Sequence, residues 1–186
     1  MPADNNKISK PLKMPAQNIE AEMSVLGSLM LDNNAVLRVA DILKPEAFYK
    51  NEHKIIFGAV LELFEKNQPV DILSVSAKLK EQKMIDEAGG IGYLTELVNS
   101  VPSASNAHYY AEIVRKKDVL RKLLEASNYI SELSYKEDED VETVMDEAER
   151  KIFSISQNAL KQKFVRVKRV LEEAWDRIDQ LHKVPE

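Results

Sequence analysis

Three histidines, one glycine cluster, several paired acids and one run of cations are the side chains of this 186-residue chain whose types could do chemistry. His53, His108 and His182 stand far apart, and none has a second ligand one helical turn away, the spacing that brings two imidazoles to one metal. A structural or surface role is therefore expected of each, and His53 sits just inside the start of an apolar helix. Gly89, Gly90 and Gly92 form the only glycine-rich stretch. No strand precedes it and no Lys-Ser/Thr pair follows, so it reads as a tight turn and not a phosphate cradle. No G-x-x-x-x-G-K-S/T sequence occurs anywhere. Glu20 with Glu22 and Asp138 with Asp140 fall in a helix first turn or an exposed loop, whereas acid/base work needs carboxylates whose surroundings drive their acidities apart. Lys161, Lys163, Arg166, Lys168 and Arg169 place five cations in nine residues without an acid. With Phe164 the only interleaved aromatic, a solvated connector is favoured over a phosphate-binding strip.

The elements that would position such groups are helices. A 44% hydrophobic fraction argues for a folded chain, and 31% charged residues with only five glycines argue for helices with solvated faces. The net charge of −5 weakly disfavours nonspecific attraction to nucleic acid. Cysteine is absent, which excludes disulfides and thiolate zinc sites. No stretch approaches the roughly 20 apolar residues of a membrane span, and residues 1–17 hold no apolar run of signal-peptide length. A soluble cytoplasmic protein without metal or membrane partner is expected.

Residues 1–16 read as a disordered arm, since Pro2, Pro11 and Pro15 punctuate a polar segment. Asn18 is a helix cap with Glu20 and Glu22 in the first turn, followed by an apolar face of Ile19, Met23, Leu26 and Met30. Further short helices run through Val36, Val39 and Leu43, from an Asn51 cap through Ile55 to Phe64, from Asp71 through Leu79, and from Tyr93 to Val98. Residues 17–104 thus form a compact bundle of short helices.

From Ser105 no Gly or Pro appears until Pro185. A helix from about 107 to 135 would be on the order of 43 Å long and must protrude. Val119, Leu123, Ala126, Ile130 and Leu133 repeat at four-three spacing, and Val141, Met145, Ala148, Ile152 and Ile155 repeat it after an acidic turn over 136–142 that ends in a capping Asp140. Two matching seams predict an antiparallel hairpin over 105–156. Leu120, Leu124, Val144 and Phe153 lie off both seams. Leaving such groups in water forgoes roughly 1.5–3 kcal/mol each, so they predict self-association with the hairpin of an identical chain. After a polar connector over 156–164, a linker helix carries Val167, Leu171, Ala174, Ile178 and Leu181, with Trp175 beside them, and has nothing upstream to lie on. The expected architecture is all-α: arm, bundle, protruding hairpin, then connector and linker helix over 157–186.

Several segments together carry a family resemblance: Q-N-I-E-A-E-M-S-V-L-G-S-L-M-L-D (17–32), P-E-A-F-Y-K-N-E-H-K-I-I-F (45–57), P-V-D (69–71), E-A-G-G-I-G-Y-L (87–94), S-V-P-S-A-S-N-A-H-Y-Y-A-E-I-V (100–114) and D-E-A-E-R-K-I-F (146–153). In this order, from about 14 to 182, the chain resembles the N-terminal domain and linker helix of the DnaB family of bacterial replicative DNA helicases. The resemblance implies a collar of a hexameric ring, a trimer of dimers joined through hairpins, that docks the C-terminal helical domain of primase and works with a helicase loader. It implies Tyr93, Leu124 and Ile130 as candidate primase contacts and a linker helix that packs on a neighbour's RecA-like motor domain. ATP, magnesium and single-stranded DNA belong to that motor domain, whose phosphate loop, arginine finger and DNA loops are absent from these residues, so no helicase activity is expected of the chain itself. Two other readings remain open: a standalone regulatory or loader-like protein, and a nucleic-acid module acting through Lys161 to Arg169.

Overall fold

The computed structural model describes residues 14–101 and 103–160. Among them all regular structure is helical: α1 (Ile19–Leu31), α2 (Asn33–Val39), α3 (Asn51–Glu65), α4 (Ile72–Glu81), α5 (Gly90–Asn99), α6 (Ala107–Leu133) and α7 (Val141–Leu160), with 3₁₀ turns at Pro45–Ala47 and Ala104–Asn106. The all-α class read from the sequence is the class found.

Helix α1 is the centre of the bundle. Asn18 caps it as expected, its side-chain oxygen accepting from Ala21 N at 2.9 Å, and α2, α3, α5 and α6 pack around it. Neighbours on several sides explain why the stripe through Ile19, Met23, Leu26 and Met30 was too narrow. Ala21, Val25 and Leu29 are buried as well, and the full burial of Val25, Leu26 and Leu29 contributes roughly 1.5–3 kcal/mol each. At Gly27 a Cβ would collide with the Leu97 carbonyl and the Val101 side chain, so glycine is what lets α1 and α5 approach so closely.

Asp32 and Asp71 cap α2 and α4, accepting from Asn34 N at 2.9 Å and Ser74 N at 2.8 Å. Asn51 does not cap α3: it is the first helical residue, and Lys50 before it makes no side-chain cap bond.

The core runs through the boundary expected at 104/105. Ala107, Ala111 and Val114, on the first half of α6, belong to the bundle's buried cluster, so one helix serves both parts. Its distal part pairs with α7. In the acidic turn Lys136 pairs with Glu139 at 2.8 Å, and the Asp140 carbonyl accepts from Val144 N at 3.1 Å. The connector expected from residue 156 is instead helical as far as Leu160, because nothing in that stretch breaks a helix.

Residues 1–13 of the expected arm lie outside the described residues, but its last residue is fastened down. Arg121 on α6 donates from Nη1 to the Ala16 carbonyl at 2.8 Å and from Nη2 to the Ala47 carbonyl at 2.5 Å, which ties the chain before α1 to the root of the hairpin.

Candidate functional site

The hairpin closes on fewer side chains than its sequence offers. Ala126 and Leu133 of α6 and Ile155 of α7 are buried, while Val119, Ile130 and Ala148 are half-buried. Leu123, Val141, Met145 and Ile152, all expected in the seams, remain 42–69% exposed. Val144, expected on the outside, is half-buried. Two rows on α7 share Ala148 and Ile155: the expected apolar 141–145–148–152–155 row and a 144–148–151–155 row in which position 151 is Lys151. Polar partners select the second. The Tyr129 hydroxyl of α6 meets Glu147 at 3.0 Å, and Lys151 Nζ lies 5.2 Å from the centroid of the Tyr129 ring. That hydrogen bond to Glu147 is the main reason the Tyr129 phenol is pushed up.

Because of this rotation Val144 leaves the outer set, and Val141, Met145 and Ile152 join Leu120, Leu124 and Phe153 as exposed apolar groups. Ile130, Ala148, Ile152 and Phe153 line an open groove of about 560 Å³ along the hairpin. Leu124 lines a different cleft, of about 500 Å³, at the junction of hairpin and bundle, with Phe48, Tyr49, Asp118 and Arg121. Asp118 is buried there, 2.6 Å from Lys122 Nζ and 3.7 Å from Arg121 Nη2, and the Arg121 guanidinium lies 5.8 Å from the Tyr49 ring centroid.

The bundle holds a buried polar chain. Glu22, expected as a solvated first-turn acid, is 1% exposed, and His53 is 0% exposed. Glu22 Oε2 lies 2.6 Å from His53 Nδ1, and His53 Nε2 lies 2.6 Å from the Tyr93 hydroxyl. Glu22 Oε1 also accepts from Tyr49 N at 2.8 Å, and Oε2 from Lys50 N at 3.4 Å. The His53 and Tyr93 rings are stacked, 4° from parallel with centroids 5.9 Å apart. Tyr93 leans on the glycine turn. Gly89 has φ +87, and a Cβ there would come within 2.9 Å of the Tyr93 side chain. Burial pushes the Tyr93 phenol up, partly offset by Lys50. A signal for this chain was in the sequence: Glu22 falls on the row 22–25–26–29, and His53 on 53–56–57–60, so an acid and an imidazole each sit in line with the core.

The residues expected for primase contact are not gathered in one place. Tyr93 stands over the buried chain, Leu124 lines the junction cleft and Ile130 lines the hairpin groove. The linker-helix residues Val167, Leu171, Ala174, Trp175, Ile178 and Leu181, and the cations from Lys161 to Arg169, lie outside the described residues. Among the described residues no group of three or more His, Asp or Glu could hold a metal ion, and no helix is long and apolar enough to cross a membrane.

Known proteins share this sequence and architecture. Residues 14–116 match the DnaB-like helicase N terminal domain family. The chain is 39% identical over 170 residues to the replicative DNA helicase DnaB of Geobacillus stearothermophilus and, to the same extent, to the replicative DNA helicase DnaC of Bacillus subtilis. Those matches cover 91% of this chain and 37% of each relative, so the chain spans little more than a third of their length. The N-terminal domain of DnaB helicase from Mycobacterium tuberculosis has a TM-score of 0.73 at 37% identity, covering 75% of this chain and 99% of that one. A DnaB-like replicative helicase, described with its interactions with primase, has a TM-score of 0.62 at 28% identity, covering 84% of this chain and 34% of that one. With the family matched over more than half of its residues and the same helical fold in solved members, the chain belongs to the DnaB-like helicase N-terminal domain family.

Proposed function

We propose that this chain is the assembly and docking collar of a replicative DNA helicase, joining copies through its hairpins and receiving primase on its outer surface. The observation that carries this reading is the exposed apolar face of the hairpin: Leu120, Leu123 and Leu124 on α6, and Val141, Met145, Ile152 and Phe153 on α7, are each at least 42% exposed. Large apolar groups exposed in this number on one hairpin support a protein interface, and a second copy offers the same groups in return. Membership in the family supports primase as the further partner, since two solved relatives, one of them from Helicobacter pylori, are described with their interactions with primase. Pairs of hairpins would build the trimer-of-dimers hexamer, and the loader would act on that ring.

ATP and magnesium chemistry falls to the motor domain of the whole protein. The sequence offers no phosphate loop and the described residues no metal cluster, so no step of hydrolysis and no grip on single-stranded DNA is assigned to them. Sedimentation equilibrium over a concentration series tests the reading. Reversible association into even-numbered species is expected, and a single monomeric mass at every concentration would contradict it.

A further inference from the structure

The hairpin is polarised in charge along its length. Over residues 107–124, the root part of α6, the five cations Arg115, Lys116, Lys117, Arg121 and Lys122 stand against two acids. Over residues 125–152, the distal part of α6, the turn and the part of α7 that returns beside it, ten acids stand against the three cations Lys136, Arg150 and Lys151. The root therefore carries a net +3 and the tip a net −7. Ion pairs form inside each part, Arg115 with Glu112 and Lys122 with Asp118 at the root, Lys136 with Glu139 and Arg150 with Asp146 at the tip. Each of these pairs cancels one charge of either sign and leaves the imbalance in place.

The same polarity is laid out on one side of the hairpin. On α6, Lys116, Leu120, Leu123, Ser127 and Ile130 recur at four-three spacing, and on α7 Glu142, Met145, Glu149, Ile152 and Ser156 recur likewise, so each set forms a stripe. Ile130 lines one groove with Glu149, Ile152 and Ser156, which sets the two stripes side by side. Leu120, Leu123, Met145 and Ile152 are exposed on them, as are Lys116 at the root end and Glu142 at the tip end. Lys116 lies ten residues rootward of Ala126, and the acidic turn begins ten residues beyond it, each about 15 Å away along the helix. A two-fold axis near Ala126 lays the apolar middle of one copy on that of another and brings each root to the other's acidic turn. A parallel pairing would set turn against turn, where like charges repel.

We propose that the exposed side of the hairpin takes a second copy of this chain in antiparallel direction, with the root cations Lys116 and Lys117 of each copy against Glu137, Asp138 and Glu142 of the other, and that this exchange of charge fixes the direction of pairing. The proposal rests on the reading of the hairpin as the surface that joins copies. Its content is the orientation of the pair and the electrostatic control of its strength. Exposed charge pairs are screened by salt, so association set by them weakens as salt rises, which burial of apolar area alone does not do.

Sedimentation equilibrium of the full chain at about 0.05 M and about 0.5 M salt, between which the screening length falls severalfold, tests this. The wild type should associate, and more weakly at the higher salt. At low salt the tip variant Glu137→Lys/Asp138→Lys/Glu142→Lys and the root variant Lys116→Glu/Lys117→Glu should each weaken self-association on the order of tenfold, the size of a few exposed ion pairs turned repulsive. A chain carrying both sets should regain the wild-type constant, a recovery that misfolding of either variant could not produce. Tip and root variants that associate like the wild type, or a combined chain no stronger than either, would overturn the proposal. The chain has no cysteine, so Lys116→Cys and Asp138→Cys each introduce a unique thiol. A short bismaleimide should join a mixture of these two variants into dimers and leave Asp138→Cys alone unjoined; efficient joining of Asp138→Cys to itself would overturn the antiparallel direction. A wild type that stays monomeric at every concentration would overturn the joining surface itself, and that outcome is distinct from an association that ignores the charge reversals.

Discussion

Removing the Glu22 carboxyl strands the backbone N–H groups of Tyr49 and Lys50 and leaves His53 Nδ1 without its partner. Glu22→Ala should therefore cost about 3–5 kcal/mol, as breaking one side of a buried polar pair does. Guanidinium unfolding reads it as a lowered midpoint at unchanged m, and a midpoint close to the wild type's would show that water takes over those bonds. Tyr93 adds a pH dependence whose sign follows from its phenol being pushed up by burial. The folded state favours the neutral phenol, so that contribution is whole below the ordinary value of about 10 and is lost as pH rises through the higher folded value. Between pH 9 and 11, values chosen to bracket about 10, the wild type should lose stability more steeply than Tyr93→Phe; parallel slopes in urea unfolding would deny the phenol this role. For His53 a structural and a surface role were both left open by its place at a helix start, and its full burial decides for the first. The burial of Glu22 was not legible, because a glutamate in a first turn ordinarily answers the helix dipole, and only the packing of α3 against α1 turns it into a partner for the imidazole.

At the scale of elements, the helices and their order could be read from apolar spacing and caps, with Asn18 capping as expected and the Asn51 cap misread by one residue. The rotation of α7 could not be read, since two rows with the same period overlap at Ala148 and Ile155, and the deciding contacts of Tyr129 with Glu147 and Lys151 are polar. The two rows make opposite predictions. Val144→Asp should lower the hairpin's thermal stability in the dissociated chain, whereas Met145→Asp, at a position 59% exposed, should leave that of the dissociated chain nearly unchanged; the reverse order in circular dichroism melts at concentrations low enough for the monomer would restore the expected seam. The end of the bundle was misplaced for a related reason: Ala107, Ala111 and Val114 continue one helix from core into hairpin with no break in sequence. Gly27→Ala tests the α1–α5 crossing and should cost on the order of 1–3 kcal/mol by overpacking.

For the whole molecule the exposed apolar groups of the hairpin support the proposed association of copies, and the relatives it resembles are replicative DNA helicases. These residues should hydrolyse no ATP, for lack of any phosphate loop; turnover that survives further purification would contradict that. The central claim is association through the hairpin. Sedimentation equilibrium of Leu124→Glu/Phe153→Glu beside the wild type tests it most directly. The account predicts association by the wild type and a monomer for the variant at unchanged helicity, and a variant that keeps the wild-type mass would place the interface elsewhere and contradict the account.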